Sequence, residues 1–279
     1  MAHLSDLTVT VIGAGNMGGA VAHAIRKAGV SKDRLVLLNS SAESTAKAAR
    51  KISATNAFER FGSDATLASA VAESHVVVLG FKPYHLESVA PMIAPHVREG
   101  ALIVSLLAGA SLETLSDAFD GHSALVRAMP NTPIAVGKGV VGLMPGAHTS
   151  EKDRQLARAL FEESATVVEV PEHQVHGVIG AAGSASAYFF LIAEAMIDEA
   201  VAEGFTRAVA TDLVVGTMLG SATLLHETGE APTSARYAVT SPGGATAQAT
   251  AALEEGGIRA LMARGMRAAA DTSRTMEER

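Results

Sequence analysis

The stretch from Thr8 to Ile25 constrains this chain more than any other. A β-branched apolar run, Thr8-Val-Thr-Val-Ile12, passes through Gly13-x-Gly15-x-x-Gly18 into an Ala-rich helical pattern. Glycine at the first position permits a tight turn, at the second lets backbone approach a pyrophosphate, and at the third lets helix and strand pack closely. The helix start adds free N–H donors and the positive end of its dipole. A bare glycine motif is weak evidence, but strand before and helix after are the context that gives it meaning. Gly13, Gly15, Asn16, Met17 and Gly18 are therefore the first expected dinucleotide contacts.

A chain of 279 residues has ample material for one large or two ordinary domains. The net charge of −7 carries no nucleic-acid footprint. Cysteine is absent, which excludes thiol catalysis, disulfides and Cys-based zinc sites. The first strand begins too soon for a signal peptide, and no uninterrupted apolar run approaches the roughly 18 residues of a membrane span. The expectation is a soluble cytoplasmic protein with a small-molecule substrate and neither nucleic acid nor membrane as a partner.

Arg34-Leu-Val-Leu-Leu-Asn39 reads as the second strand. An NAD-preferring fold usually ends this strand in Asp or Glu, to accept from the ribose 2′-hydroxyl. Here Asn39 is followed by Ser40 and Ser41, an uncharged amide and two hydroxyls that tolerate a 2′-phosphate, although no arginine is present to grip it. The serines also suit a helix start. NADP is the favoured cofactor, with NAD as the alternative.

Alternation continues through strands at 75–80, 102–106, 123–127 and 140–144, with helices between them and one opening at the Ser150–Asp153 capping box. Short continuous apolar strands separated by helical patterns imply a mostly parallel, doubly wound α/β sheet of Rossmann type over residues 1–170. Ligands bind such sheets beyond the carboxyl ends of the strands. Two loops there are unusual, Phe81-Lys82-Pro83 and Arg127-Ala-Met-Pro-Asn131-Thr-Pro133. Lys82, Pro83 and Asn131 are their expected cofactor contacts.

After a last strand at 166–170, Pro171 marks a change of composition. Helical patterns then cover 187–203, 206–227, 244–255 and 258–275, giving an all-helical domain over 171–279. The first helix is apolar around much of its circumference and must be buried on several sides. A homodimerisation domain accounts for that; packing on the first domain within a monomer is the alternative. Val239-Thr-Ser241-Pro-Gly243-Gly244-Ala-Thr246 places glycines and hydroxyls before a helix, a second anion site suited to a substrate carboxylate. Glu227 and Glu230 precede it and could face an imine or simply end a helix. His173 and His176 have no evident third ligand, so no metal is expected.

Gly13-Ala-Gly-Asn-Met-Gly18, Phe81-Lys-Pro83, Val126-Arg-Ala-Met-Pro-Asn-Thr-Pro133, Gly183-Ser-Ala-Ser-Ala-Tyr188 and Val239-Thr-Ser-Pro-Gly-Gly-Ala-Thr246 together resemble, in order and spacing, a divergent member of the pyrroline-5-carboxylate reductase family. The resemblance spans nearly the whole chain. It implies reduction of 1-pyrroline-5-carboxylate to L-proline by NADPH or NADH, the final step of proline biosynthesis. It also implies a C-terminal domain that interlocks with a partner subunit, often in larger rings of dimers. Carried onto this sequence, the carboxylate would sit on Ser241, Gly243, Gly244 and Thr246, with Thr246 also near the ring nitrogen as the catalytic residue. Ala185-Ser186 stands where the family usually has Gly-Pro, and Ala231–Tyr237 departs from its usual pattern. Alternatives are a reductase of another small cyclic imine or carboxylate, and a non-catalytic dinucleotide-binding paralogue. Residues 172–279 contain no lysine, which disfavours a dehydrogenase with a helical lysine base.

Overall fold

The structure, a computed structural model, describes residues 3–52, 56–58, 64–122 and 124–277. Packing divides the chain into two compact units, Met1–Ser184 together with Ala268–Arg279, and Ala185–Arg267. This division by contact falls later than the change of composition at Pro171, because the short helical turns after Pro171 pack on the sheet.

The first unit is built on an eight-stranded sheet in the order β3-β2-β1-β4-β5-β6-β7-β8. Its strands are β1 Val9–Ile12, β2 Leu35–Leu38, β3 Asn56–Phe58, β4 Val76–Leu79, β5 Leu102–Ser105, β6 Leu125–Pro130, β7 Gly139–Pro145 and β8 Ala165–Glu169. All neighbours pair in parallel except β6 and β7, which are antiparallel. The reversal comes from the proline pair: Pro130 ends β6, Pro133 opens a 3₁₀ turn over Thr132–Val136, and Gly137 closes it in the left-handed region. The expected strand at 123–127 thus becomes Leu125–Pro130, with Ser123 outside the described residues.

Strands β1, β2, β4 and β5 are buried at every position, as continuous apolar runs require when both faces are covered. The pleat sends Val9, Val11, Val76 and Val78 to one face and Ile12, Val77 and Leu79 to the other. Helices α1 Asn16–Lys27, α2 Ala42–Ile52 and α6 Glu151–Ala159 cover the first face. The second is covered by α3 Asp64–Ala72, α4 Leu86–Ile93 and α5 Leu112–Ala118. Ser150 caps α6 as expected, accepting from the Asp153 N–H. A short helix, α7 Val175–Val178, leads into a π-helical turn at Ile179–Gly183.

The second unit holds α8 Ala185–Ala202, α9 Arg207–Thr228, α10 Pro232–Ala238, α11 Ala245–Glu255 and the first half of α12 Ile258–Glu277, whose second half belongs to the first unit. In α9 only Ala210 and Val214 are buried, whereas Phe190, Leu191 and Leu219 are 64%, 67% and 65% exposed. Two helical stretches, Glu172–Ala202 and Arg207–Thr228, are long and apolar enough by length and composition to cross a membrane, although neither is an uninterrupted apolar run.

At the amino edge of the sheet, the Thr8 N–H donates to His75 Nδ1 at 3.1 Å. Burial, followed by the nearby charges of Arg98, Arg34 and Lys152, holds the His75 imidazole below its ordinary value. A depressed folded pKa makes protonation favour the unfolded chain. The stability owed to neutral His75 is therefore complete above about pH 6.5 and is lost as pH falls below that value. Between pH 7.5 and 5.5 the parent Tm is expected to fall more steeply than that of His75→Asn, which retains an acceptor for Thr8. Parallel curves would remove His75 from the account.

Candidate dinucleotide and carboxylate sites

The glycine loop is where three backbone segments meet. Gly13, just beyond β1, has φ +91°, and a Cβ there would overlap the backbone N of Phe81. A Cβ on Gly18 would overlap the Gly13 carbonyl oxygen, and one on Gly80 would lie 2.7 Å from that same oxygen. Gly15 differs: nothing lies within 4 Å of its Cβ position. It opens α1 with no side-chain cap, so the first-turn N–H groups receive no acceptor from it. Gly13, Gly18 and Gly80 thus hold the fold together, while Gly15 leaves room for a ligand. Gly18 is buried, Asn16 is exposed and Met17 is half-buried. These three belong to the helix start and do not line the cleft beside it.

That cleft has a volume of about 420 Å³. Gly13, Gly15 and Gly80 form one side, and Asn39, Ser40 and Ser44 lie at the end of β2 and the start of α2. Phe81 and Lys82 contribute from the loop after β4. His85, Ser88, Val89 and Met92 complete the lining from the start of α4. Asn39 is only 7% exposed, and its Nδ2 has no hydrogen-bond partner among the described residues. A buried donor without a partner at a cleft wall fits a ligand rich in oxygen acceptors. Together with the open position over Gly15, it means the residues present fit a dinucleotide.

Some expected contacts are placed differently. Ser41 accepts from the Ser44 N–H at 3.2 Å and so caps α2, whereas Ser40 and Ser44 face the cleft. Asn131 braces backbone: its Oδ1 accepts from the Val140 N–H at 2.8 Å and its Nδ2 donates to Ala182 O at 3.3 Å, leaving one N–H. Pro83 starts the 3₁₀ turn Pro83–His85 and does not line the cleft. The α4 wall was missed, although positions 85, 88, 89 and 92 follow the i, i+3, i+4, i+7 rule of one helical face. Arg127 was also missed as a structural centre; it is fully buried against Glu172 and Glu277.

In the second unit, Gly243 has φ +71° and Gly244 begins α11 with no side-chain cap. Ser241 and Thr246 are exposed beside it, and neither side chain hydrogen-bonds within the described residues. The Gly244 N–H is spent on Ser241 O at 3.1 Å, so only the first-turn N–H groups that follow it, with two unspent hydroxyls, can receive a carboxylate. His173 is exposed, and His176 Nδ1 lies 3.0 Å from Ser273 Oγ. No metal-holding cluster of three such side chains occurs among the described residues.

With this geometry in view, residues 172–276 match a family model described as pyrroline-5-carboxylate reductase dimerisation. Residues 8–109 match one described as NADP oxidoreductase, coenzyme F420-dependent. A pyrroline-5-carboxylate reductase of Methanosarcina acetivorans is 33% identical over 98% of this chain and 99% of its own length. The chain belongs to the pyrroline-5-carboxylate reductase family.

Within that family, the enzyme of a Synechocystis strain is 39% identical over 70% of this chain and 73% of its own. The solved structure of a pyrroline-5-carboxylate reductase from Coxiella burnetii superposes with a TM-score of 0.86 at 29% identity, covering 97% of this chain and 98% of that one. The family's dimerisation model begins one residue after the composition change at Pro171, although the second packing unit begins at Ala185.

The glycine geometry separates folding from binding. Gly13→Ala and Gly18→Ala force Cβ atoms into backbone and are expected to cost about 2 kcal/mol or more of stability. Gly15→Ala should leave the Tm within a degree or so and weaken NADPH binding about tenfold, since its methyl enters the cleft. Thermal unfolding beside calorimetric titration with NADPH checks both. A Gly15→Ala variant that binds like the parent would contradict the site.

Proposed function

We propose that this chain reduces 1-pyrroline-5-carboxylate to L-proline, with NADPH as its preferred reductant and NADH as the weaker one. The observation that carries this reading is similarity to curated pyrroline-5-carboxylate reductases over nearly the whole chain. The open cleft over Gly15 and the helix start at Gly244, which has no side-chain cap, support that reading.

The first turn of α1, with Gly15 at its head, holds the pyrophosphate. Asn39, Ser40 and Ser44 take the adenosine ribose and its 2′-phosphate, Asn39 by its unpartnered amide. Lys82 supplies a positive charge to the same cleft. When bound, the dinucleotide supplies a hydride. Ser241, the Gly243 N–H, the first-turn N–H groups of α11 and the Thr246 hydroxyl hold the substrate carboxylate, while the Gly244 N–H closes the turn onto Ser241 O. Thr246 also faces the ring nitrogen: its single O–H donates there to a neutral imine, whereas with a protonated imine its oxygen accepts from the N–H and its O–H is left to the carboxylate. On reduction the C=N π pair would pass to the ring nitrogen, which either already carries its proton or takes one up to become the amine of proline. A hydroxyl is too weak an acid to surrender its proton near neutral pH. Thr246 therefore orients and polarises, and the proton comes from a protonated imine or from water.

The same reading makes the working species a homodimer in the cytoplasm, with larger assemblies of dimers available to it. The exposed apolar side chains of α8 and α9 are the surface that a second copy would cover, in keeping with the dimerisation model that spans them. Burying such faces is worth about 25 cal/mol per Å² of apolar surface.

Charge-assisted hydrogen bonds contribute about 1.5–3 kcal/mol each. Thr246→Ala is therefore expected to lower kcat/KM about tenfold to a hundredfold, measured as NADPH oxidation at 340 nm with 1-pyrroline-5-carboxylate. A loss below about threefold would remove Thr246 from the site. Comparing NADPH with NADH in that assay tests the reading of Asn39, Ser40 and Ser44.

A further inference from the structure

A dinucleotide that places its adenosine ribose at the end of β2 crosses the switch point between β1 and β4. Its other half then extends over the carboxyl ends of β4 and β5. The loop leaving β5 there is Leu106-Leu-Ala-Gly-Ala110, which contains no polar side chain to hold its own shape. Its backbone is pinned at Leu106 by Leu79 O, at Leu107 by Ser105 Oγ and at Ala110 by Leu107 O, and a buried side chain from outside holds the middle. Arg127 on β6, with a side chain 0% exposed, donates from Nη2 to Ala108 O at 3.2 Å. The same guanidinium donates from Nη1 to Glu172 Oε1 at 2.7 Å, and from Nη1 and Nη2 to the two carboxylate oxygens of Glu277 at 3.1 and 3.2 Å. Glu172 Oε1 in turn accepts from the Leu112 N–H at 2.6 Å, at the start of α5. The loop is thus tied at Ala108 and just beyond its end.

The last turn of α12 completes the clamp. A Cβ added to Gly109 would lie 3.1 Å from the Met276 carbonyl oxygen and 3.7 Å from Pro83 Cβ. Helix end, loop and the Lys82-Pro83 turn are therefore layered, and an added side chain at Gly109 would press on the end of the helix. Glu277 also faces His176, whose Nε2 lies 3.7 Å away. A buried guanidinium requires its carboxylates, and two of them converge here on one cation from distant parts of the sequence.

We propose that Arg127 and Glu277 are positioning residues for the nicotinamide half of the cofactor, holding the 106–110 loop so that the end of α12 forms part of the frame of the dinucleotide site. The proposal rests on the cofactor reading given above. It separates from a merely structural role because it predicts an effect on one half of the ligand only.

The test is calorimetric titration of the full chain with NADPH and with 2′,5′-ADP, which occupies the adenosine half alone. Glu277→Ala is expected to weaken NADPH binding about tenfold while leaving 2′,5′-ADP within about twofold of the parent. Glu277→Gln, which keeps one acceptor oxygen, should show a smaller loss of the same pattern. Ending the chain after Met276 should reproduce Glu277→Ala, and in turnover the KM for NADPH should rise as kcat falls. Arg127→Lys is a further variant; if it does not fold, the two substitutions and the truncation at 277 still decide the matter. Equal weakening of both ligands, or no weakening of NADPH, would overturn the proposal. Failure of the parent to bind 2′,5′-ADP would overturn the cofactor reading itself, and the proposal with it.

Discussion

Everything in the first unit depends on the close approach of Gly13, Gly18 and Gly80. Three backbones meet where a β1 turn, the start of α1 and the end of β4 would otherwise be held apart by side chains. That approach aims the N-terminus of α1 along the carboxyl edge of the sheet, and it places Gly15 where its missing side chain leaves open space. Van der Waals exclusion thus sets both the packing and the anion site. The remaining cleft residues need only line a space that already exists.

The two binding regions are physically different. The dinucleotide cleft lies in a unit whose strands are buried on both faces, and its walls come from three parallel connections. The proposed carboxylate loop before α11 belongs to a helical unit with many exposed apolar side chains. A rigid sheet suits a large cofactor that must be held along its length. In the proposed reading, helices whose apolar faces need a partner would tie the substrate loop to assembly.

The β1–α1 loop was legible in the sequence because strand pattern, glycine spacing and helix pattern agree there. So were the long C-terminal helices, whose observed ends lie within a few residues of those expected. Other elements gave weaker signals. Helix α2 is mostly polar, α3 mixes small and apolar residues, and β3 is only three residues long. The antiparallel turn between β6 and β7 depends on how two prolines are used, which composition does not reveal. At the site, Ser40 and Ser41 are equivalent in sequence, yet the cap of α2 takes one hydroxyl and leaves the other to the cleft. Asn131, expected as a ligand contact, also serves the reversal it sits on, accepting from Val140 and donating once to Ala182. The Arg127–Glu277 pair joins residues 150 positions apart and has no local signature at all.

The most direct measurement of the central claim is the fate of the hydride. The enzyme should be given NADPH deuterated at the transferable position of the nicotinamide ring, with 1-pyrroline-5-carboxylate in ordinary water. The account predicts L-proline carrying one deuterium, on the ring carbon that was double-bonded to nitrogen. Proline formed without that label, or no proline from folded protein that binds NADPH, would contradict it.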